Sequence, residues 1–235
     1  MNPSEPTSGA DTGTGTSSGT GAGSRRRGPG DPNRFSGLVP VQFTGTGPAL
    51  DPIEFAVIDV ETTGLRPRHD RIIEIAVVRC DPSGSPISEW STLIDPGRDP
   101  GPTRVHGIAA TDLAGAPTFA HAIDELRQQL AGAVVVAHNL SFDSAFLAHE
   151  FRRAGLDPHD GFGLCTLELA RTSLPDLEGH SLAACARALS IPQPLAHRAL
   201  ADTRVTAGVL QAIIAGLDPT PGQLTPPLRL AAPPG

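Results

Sequence analysis

The pattern of apolar positions divides the middle of the chain, from about residue 54 to residue 215, into strand-like and helix-like segments. Runs of strand-forming residues bounded by turn residues predict three consecutive strands at 54–60, 71–80 and 88–94. The wholly apolar run at 133–138 predicts a further strand in the centre of a sheet. The segment 163–174 predicts a fifth strand that turns directly into a helix.

Helices are predicted in the second half of this region. Apolar spacing and closing glycines predict them over 118–132, 141–155 and 181–189, and a last helix runs from Asp202 onward. Ser141 is the expected N-cap of the second of these helices. Three consecutive strands followed by alternating helices and strands predict an α/β domain. We expect it to contain one mixed five-stranded sheet with helices on both faces.

Composition separates this domain from two tails. Residues 1–50 are predicted to be a disordered extension rich in Gly, Ser, Thr and Pro, residues 51–217 the domain, and residues 218–235 a Pro-rich tail. The segment up to about residue 34 has no Val, Ile, Leu or aromatic side chain, so it cannot bury enough apolar surface to offset the entropy of ordering. The pattern assigns no role to residues 35–50.

Charge and cysteine content narrow the class of protein. The formal net charge of −7 argues against a broad basic face for nucleic acid, but it is compatible with an enzyme that grips one strand end. No apolar run approaches the roughly 18 residues of a membrane span, and the N-terminus has no secretory signal. The three cysteines show no CxxC spacing. We therefore expect a cytoplasmic protein with reduced thiols and no membrane partner.

Carboxylates stand at the ends of two predicted strands. Asp59 and Glu61 lie where the strand at 54–60 ends and its turn begins. Residues two apart on a strand point to the same face. Two acids this close favour a divalent cation such as Mg²⁺ or Mn²⁺, although two solvated acids at a strand end are the simpler alternative. Asp143 follows the strand at 133–138, where, taken alone, it is better explained as an ordinary first-turn helix acid.

The last helix carries a third acidic position. Asp202 lies on the same apolar stripe as Val205 and Val209, and an unpaired buried carboxylate is costly, so it should be paired, neutral or bound to a metal. His197 precedes Asp202 by five residues, about 140° away on an ideal helix. If both serve one site, His197 must lie on the loop that leads into the helix.

In this order, the motifs VIDVETTGL, RIIEIAVV, VVVAHNLSFDSAFL and AHRALADTRVTAGVL resemble those of the DEDDh family of 3′→5′ exonucleases, and within it the epsilon proofreading subunits of bacterial replicative DNA polymerases. The likeness covers about residues 54 to 215. It implies a ribonuclease H-like fold in which the first three strands are antiparallel and the others parallel.

The resemblance also implies an active site. Asp59, Glu61, Asp143 and Asp202 are the expected ligands of two divalent cations, Mg²⁺ or Mn²⁺, and His197 is the expected catalytic base. Residues expected to bind the substrate are Thr62, Thr63, Gly64, Leu65, His106, Asn139 and Phe142. Loop packing is an equal alternative for His106, and core packing is the alternative for Phe142.

The expected function is removal of nucleoside monophosphates from the 3′ ends of single-stranded DNA, in proofreading or repair. Two alternatives stay open. One is an exoribonuclease of the same family, because no residue separates DNA from RNA. The other is a non-catalytic module that binds within a polymerase assembly, and retention of all five active-site residues argues against it. A replicative DNA polymerase is the expected protein partner in the proofreading role.

Overall fold

The structure is a computed structural model that describes residues 53–193 and 198–217, together with two short strands outside them. The strands are β1 (Leu38–Phe43), β2 (Glu54–Thr62), β3 (Ile72–Cys80), β4 (Pro86–Leu93), β5 (Ala133–Ala137), β6 (Gly161–Cys165) and β7 (Leu228–Leu230). Their order across the sheet is β4-β3-β2-β5-β6-β1-β7. β2, β3 and β4 pair antiparallel, whereas β5 and β6 continue the sheet in parallel. This confirms the predicted mixed sheet and its strand directions.

β1 and β7 extend the sheet beyond the five predicted strands. β1 pairs in parallel with β6, and β7 pairs antiparallel with β1. Both lie in segments that composition assigned to the tails, and the other residues of those tails lie outside the described part of the chain. Within the described residues, no helix is both long enough and apolar enough to cross a membrane.

The helices are α1 (Thr103–His106), α2 (Phe119–Leu130), α3 (Leu140–Arg153), α4 (Thr166–Ser173), α5 (Leu182–Ala188) and α6 (Ala199–Leu217). Two boundaries differ from the prediction. α3 begins at Leu140, so Ser141 is not its N-cap, and that prediction was wrong. The chain turns from β5 into α3 through Asn139, which has a left-handed backbone with φ of 71°. α6 begins at Ala199, which places Asp202 inside its first turn.

Helices cover both faces of the sheet, as predicted. Alternate residues of β2 point to opposite sides, so Ala56 and Ile58 contact one core while Phe55 and Val57 contact the other. α2 and α3 pack on the first face through large side chains that include Leu126, Phe146 and Phe151. α6 packs on the second face through Ala207, Leu210 and Ile214. This arrangement brings the first turn of α6 and the first turn of α3 to the same edge of the sheet, where β2 and β5 end.

Candidate active site

The carboxyl end of β2 supplies the first two acids of the site. Asp59 pairs with Ala76 and Glu61 with Glu74 on the neighbouring β3, and the register then shifts between Glu61 and Thr62. An irregularity of this kind bends a strand and re-aims its side chains, and such irregularities are common next to active sites. In this protein the register shift lies where β2 ends its pairing with β3 and the chain enters the loop that follows.

Asp143 reaches this strand end from α3. Its side chain is 3 % exposed, and it hydrogen-bonds with its own backbone N–H and with that of Val60 on β2. Burial raises the pKa of Asp143 to about 8, and the charge of Glu61 acts in the same direction. The two backbone N–H groups oppose that rise because they stabilise the ionised form.

Asp202 completes the cluster from the first turn of α6. One carboxylate oxygen from each of Asp59, Glu61 and Asp202 lies within 4.8 Å of the others. Burial raises the pKa of Asp59 well above its ordinary value, and the neighbouring carboxylates, Asp143 first among them, raise it further. Burial and the charge of Asp202 likewise raise the pKa of Glu61 to about 7.

These residues fit a divalent cation by the chemistry of their donors. Hard cations such as Mg²⁺ and Mn²⁺ prefer carboxylate oxygens, and a positive ion would relieve the repulsion that raises all three of these pKa values. The structure thus brings together Asp59, Glu61 and Asp202, with Asp143 against Asp59. His197 lies outside the described residues, so its place in the site stays a prediction.

Two further charged residues adjoin the cluster, and the sequence analysis did not single them out. Glu74, opposite Glu61 on β3, is 4 % exposed, and Arg198 donates to its carboxylate. The charge of Glu74 raises the pKa of Glu61, and that of Arg198 lowers it. The signal in the sequence was a single acid in the otherwise apolar segment IIEIAVV, residues 72–78, because a buried acid needs a partner.

The loop after β2 is held by its own hydrogen bonds. The Thr63 backbone N–H donates to the carbonyl of Arg71, and the Thr63 hydroxyl accepts from the Arg71 N–H at 3.1 Å. The Thr62 hydroxyl donates to the carbonyl of Gly64 at 2.7 Å. The backbone N–H and both hydroxyls named here therefore shape the loop, and substrate binding by Thr62 and Thr63 stays a prediction. Leu65 projects from the loop with 80 % of its surface exposed.

Gly64 is required by close packing within this loop. An added Cβ at Gly64 would lie 2.6 Å from a carboxylate oxygen of Asp70, which also accepts the N–H of Arg66. A second glycine supports the loop from outside. Gly101 has φ of +85°, and an added Cβ there would lie 2.3 Å from the carbonyl oxygen of Thr63. The segment after β4 therefore packs directly against the backbone of the loop after β2.

The remaining predicted substrate residues have structural contacts of their own. His106 is buried, its Nδ1 accepts the N–H of Ile108, and burial lowers its pKa while nearby Glu74 acts in the opposite direction. Phe142 packs against Phe146 with ring centroids 4.9 Å apart, which agrees with the core-packing alternative. The side chain of Asn139 accepts a hydrogen bond from Ser141 at the turn into α3.

Taken together, the fold and the acid cluster define a class of protein: an α/β domain with a carboxylate site for divalent cations at the carboxyl edge of its sheet. Comparison with known proteins identifies the family. The exonuclease family RNase_T matches residues 56–210. The chain belongs to this exonuclease family, which confirms the predicted resemblance to DEDDh 3′→5′ exonucleases and the coarser expectation of a nuclease.

Relatives and solved structures agree with this assignment. PolC-type DNA polymerase III of Staphylococcus epidermidis is 33 % identical over 171 residues, which cover 72 % of this chain and 12 % of the polymerase. The corresponding polymerase of Listeria innocua is 32 % identical with the same coverage. Exonuclease X, solved in complex with 5′ overhanging duplex DNA, is 30 % identical with a TM-score of 0.54, over 69 % of this chain and 92 % of that protein. Exonuclease I of Methylocaldum szegediense is 26 % identical with a TM-score of 0.61, over 69 % of this chain and 40 % of that protein.

Proposed function

We propose that this domain is a two-metal DEDDh exonuclease that removes nucleoside monophosphates from the 3′ ends of single-stranded DNA. The observation that carries the proposal is the convergence of three carboxylates, with ligand atoms within 4.8 Å of one another, next to the buried carboxylate of Asp143. Asp59, Glu61, Asp143 and Asp202 are the residues that would hold the two cations, Mg²⁺ or Mn²⁺. In a two-metal site, the ions stabilise charge on the attacking and leaving oxygens of an in-line displacement.

The residues of the chain supply the remaining chemistry. A water oxygen attacks the terminal phosphorus, and the bond from phosphorus to the 3′ oxygen of the preceding nucleotide breaks. His197 accepts the proton that the water loses, since a neutral imidazole with a pKa near 6.5 is suited to act as a base at neutral pH. The released 3′ oxygen takes a proton from solvent. The acids that hold the cations must ionise first, which the raised pKa values of Asp59, Glu61 and Asp143 oppose in the absence of cations.

The end of the substrate strand would lie beside the loop after β2. Leu65 is 80 % exposed and follows directly from the strand end that carries Asp59 and Glu61. An exposed leucine at this place offers an apolar contact for the terminal base, and the hydrogen bonds of Thr62 and Thr63 keep the loop in shape for that contact. His106 and Phe142 would support the site by packing, and Asn139 would shape the turn into α3.

DNA is the favoured substrate because three of the four compared proteins either have a DNA polymerase name or were solved in complex with DNA. The chain spans 12 % of the length of the PolC-type polymerases that it matches, so polymerase activity itself is not part of the proposal. A proofreading role beside a replicative polymerase fits the likeness to a segment of these polymerases. An exoribonuclease with the same site is the alternative.

The experiment uses single-stranded DNA and RNA of matched sequence, each labelled at either end, with the purified chain and Mn²⁺ or Mg²⁺. A label at the 5′ end should yield a ladder of shortened strands, and a label in the 3′ nucleotide should appear at once as mononucleotide. EDTA should abolish both signals because the four carboxylates cannot stabilise the reaction without cations. Full cleavage in EDTA would refute the metal assignment. RNA cleaved far faster than DNA would favour the exoribonuclease.

A further inference from the structure

Glu74 occupies an unusual position for a carboxylate. It lies in the middle of β3, whose other residues are nearly all apolar and buried, and its side chain is 5 % exposed. Its strand partner is Glu61, one of the proposed metal ligands. A buried carboxylate next to other acids persists only if donors compensate its charge. The structure provides these donors from α6.

Arg198 and Ala199 supply the compensation. Arg198 donates through Nη2 to Oε1 of Glu74 at 2.8 Å, and its Nε lies 3.1 and 3.2 Å from the two carboxylate oxygens. The backbone N–H of Ala199 donates to Oε2 at 3.0 Å. That N–H is one of the first groups of α6 and has no partner within the helix, so Glu74 caps the helix from a neighbouring strand.

The contact fixes the turn of α6 that carries a proposed metal ligand. The Arg198 carbonyl accepts the N–H of Asp202 at 3.0 Å, so the residues bound to Glu74 form the same helical turn that presents Asp202. The salt bridge between Glu74 and Arg198 thus anchors the turn from which the Asp202 carboxylate extends.

We propose that Glu74 and Arg198 are positioning residues of the exonuclease reaction, which together set the place of Asp202 relative to the acids of β2. The proposal rests on the proposed nuclease function. It makes both residues important for the chemical step, although neither is a metal ligand and neither is expected to touch the substrate. A displacement of about 1 Å in a catalytic group can cost on the order of 10²-fold in rate.

Charge alone is the competing explanation, and the two explanations predict different results. If the pair acted only through its charges, Arg198→Lys would behave as wild type because it keeps the positive charge. Positioning requires the planar guanidinium with its two donors and fixed geometry, which an ammonium group cannot reproduce. Glu74→Gln removes charge but keeps one acceptor and the shape of the side chain. Charge alone predicts that it weakens Mn²⁺ binding without a separate effect on the chemical step.

The test measures single-turnover cleavage of a DNA oligonucleotide with saturating Mn²⁺. For Arg198→Lys and for Glu74→Gln, we expect the maximal rate to fall by about 10²-fold while the DNA concentration at half-maximal rate changes little. The double variant should be no slower than the slower single variant, because both changes break one contact. A wild-type maximal rate in Arg198→Lys, or losses that multiply in the double variant, would overturn the proposal.

A matched control lies on the same helix. Arg204 of α6 makes a similar bidentate pair with Glu89 of β4, through Nε at 2.8 Å and Nη2 at 2.5 Å, on an exposed surface. Arg204→Lys and Glu89→Gln should leave the maximal rate within about two-fold of wild type, since exposed pairs contribute little. If these control variants slow cleavage as strongly as Arg198→Lys does, any loss of an α6 salt bridge slows the enzyme and the proposal fails.

Amide hydrogen exchange without cations gives a readout that needs no activity. The peptide covering Ala199 to Thr203 should lose protection in Glu74→Gln and Arg198→Lys but not in the two control variants. Unchanged protection would overturn the anchoring role. If wild-type protein cleaves no nucleic acid while these exchange differences are present, the proposed nuclease function fails and the anchoring contact stands.

Discussion

The acid cluster gives the cation-free protein a characteristic dependence of stability on pH. Folding raises the pKa of Asp143 from the ordinary 3.8 to about 8 and that of Glu61 from 4.5 to about 7. Between the unfolded and folded values, the native state binds a proton that the unfolded chain does not bind. Stability is therefore lost as pH rises through this window, whereas most proteins lose stability on acidification.

A comparison with the Asp143→Asn variant isolates the carboxyl group of Asp143. Burial lowers the pKa of His106, His138 and other histidines below the ordinary 6.5, so near that pH the unfolded chain binds protons that the native state does not bind, and this opposes the loss of stability. The histidine contribution is the same in wild type and variant. Between pH 6.5 and the folded pKa of Asp143, about 8, wild type should lose roughly 2 kcal/mol relative to the variant, at about 1.4 kcal/mol per pH unit. Glu61 contributes only a few tenths of a kcal/mol in either protein because solvent screens its partly exposed carboxylate.

The assay is thermal unfolding at pH 6.5, 7.2 and 8.0 in EDTA, with a parallel series in Mn²⁺. Relative to Asp143→Asn, the melting temperature of wild type in EDTA should fall by about 4–8 °C across the range, since a domain of this size changes by ~2–4 °C per kcal/mol. Mn²⁺ should remove this relative fall because cations bind the ionised acids of the native state. Asp124→Asn on the exposed face of α2 should follow wild type at each pH. A difference between wild type and Asp143→Asn that is constant, or that moves in favour of wild type as pH rises, would refute the reasoning.

Two further predictions concern the site and its supporting loop. Asp202→Asn should weaken Mn²⁺ binding and lower cleavage at every pH. His197→Ala should instead keep the affinity for Mn²⁺, lose about 10²–10⁴-fold in single-turnover rate and no longer cleave faster as pH rises. An unchanged pH profile in His197→Ala would exclude His197 as the base. Gly101→Ala should lower the free energy of unfolding in urea by more than ~1 kcal/mol and slow cleavage, because the added Cβ meets the Thr63 carbonyl. Gly97 also has a positive φ but open space around it, so Gly97→Ala should destabilise the protein less and leave cleavage unchanged. Equal effects of the two changes would mean that the contact with the loop after β2 is unimportant.

The sequence by itself determined the features that depend on short-range periodicity. Asp59 and Glu61 share a face because strand side chains alternate with period two, and the apolar stripe of α6 follows from period 3.6, with Val205 and Val209 buried as predicted. The run of apolar residues at 133–138 predicted a central strand, and β5 lies between β2 and β6 in the sheet. Local pattern was sufficient because each of these features involves residues within about two helical turns of one another.

Only the tertiary structure decided which distant groups meet. The pairing of Glu74 with Arg198 joins residues 124 positions apart, and the contact of Asp143 with Val60 depends on how β5 and α3 pack beside β2. Apolar spacing did not reveal that α6 begins at Ala199. The backbone N–H of Ala199 donates to the carboxylate of Glu74 on β3, so the group that caps the helix comes from a distant part of the chain. A side chain's partner, and with it the pKa of a buried acid, depends on which elements pack together, and no local spacing in the chain specifies that.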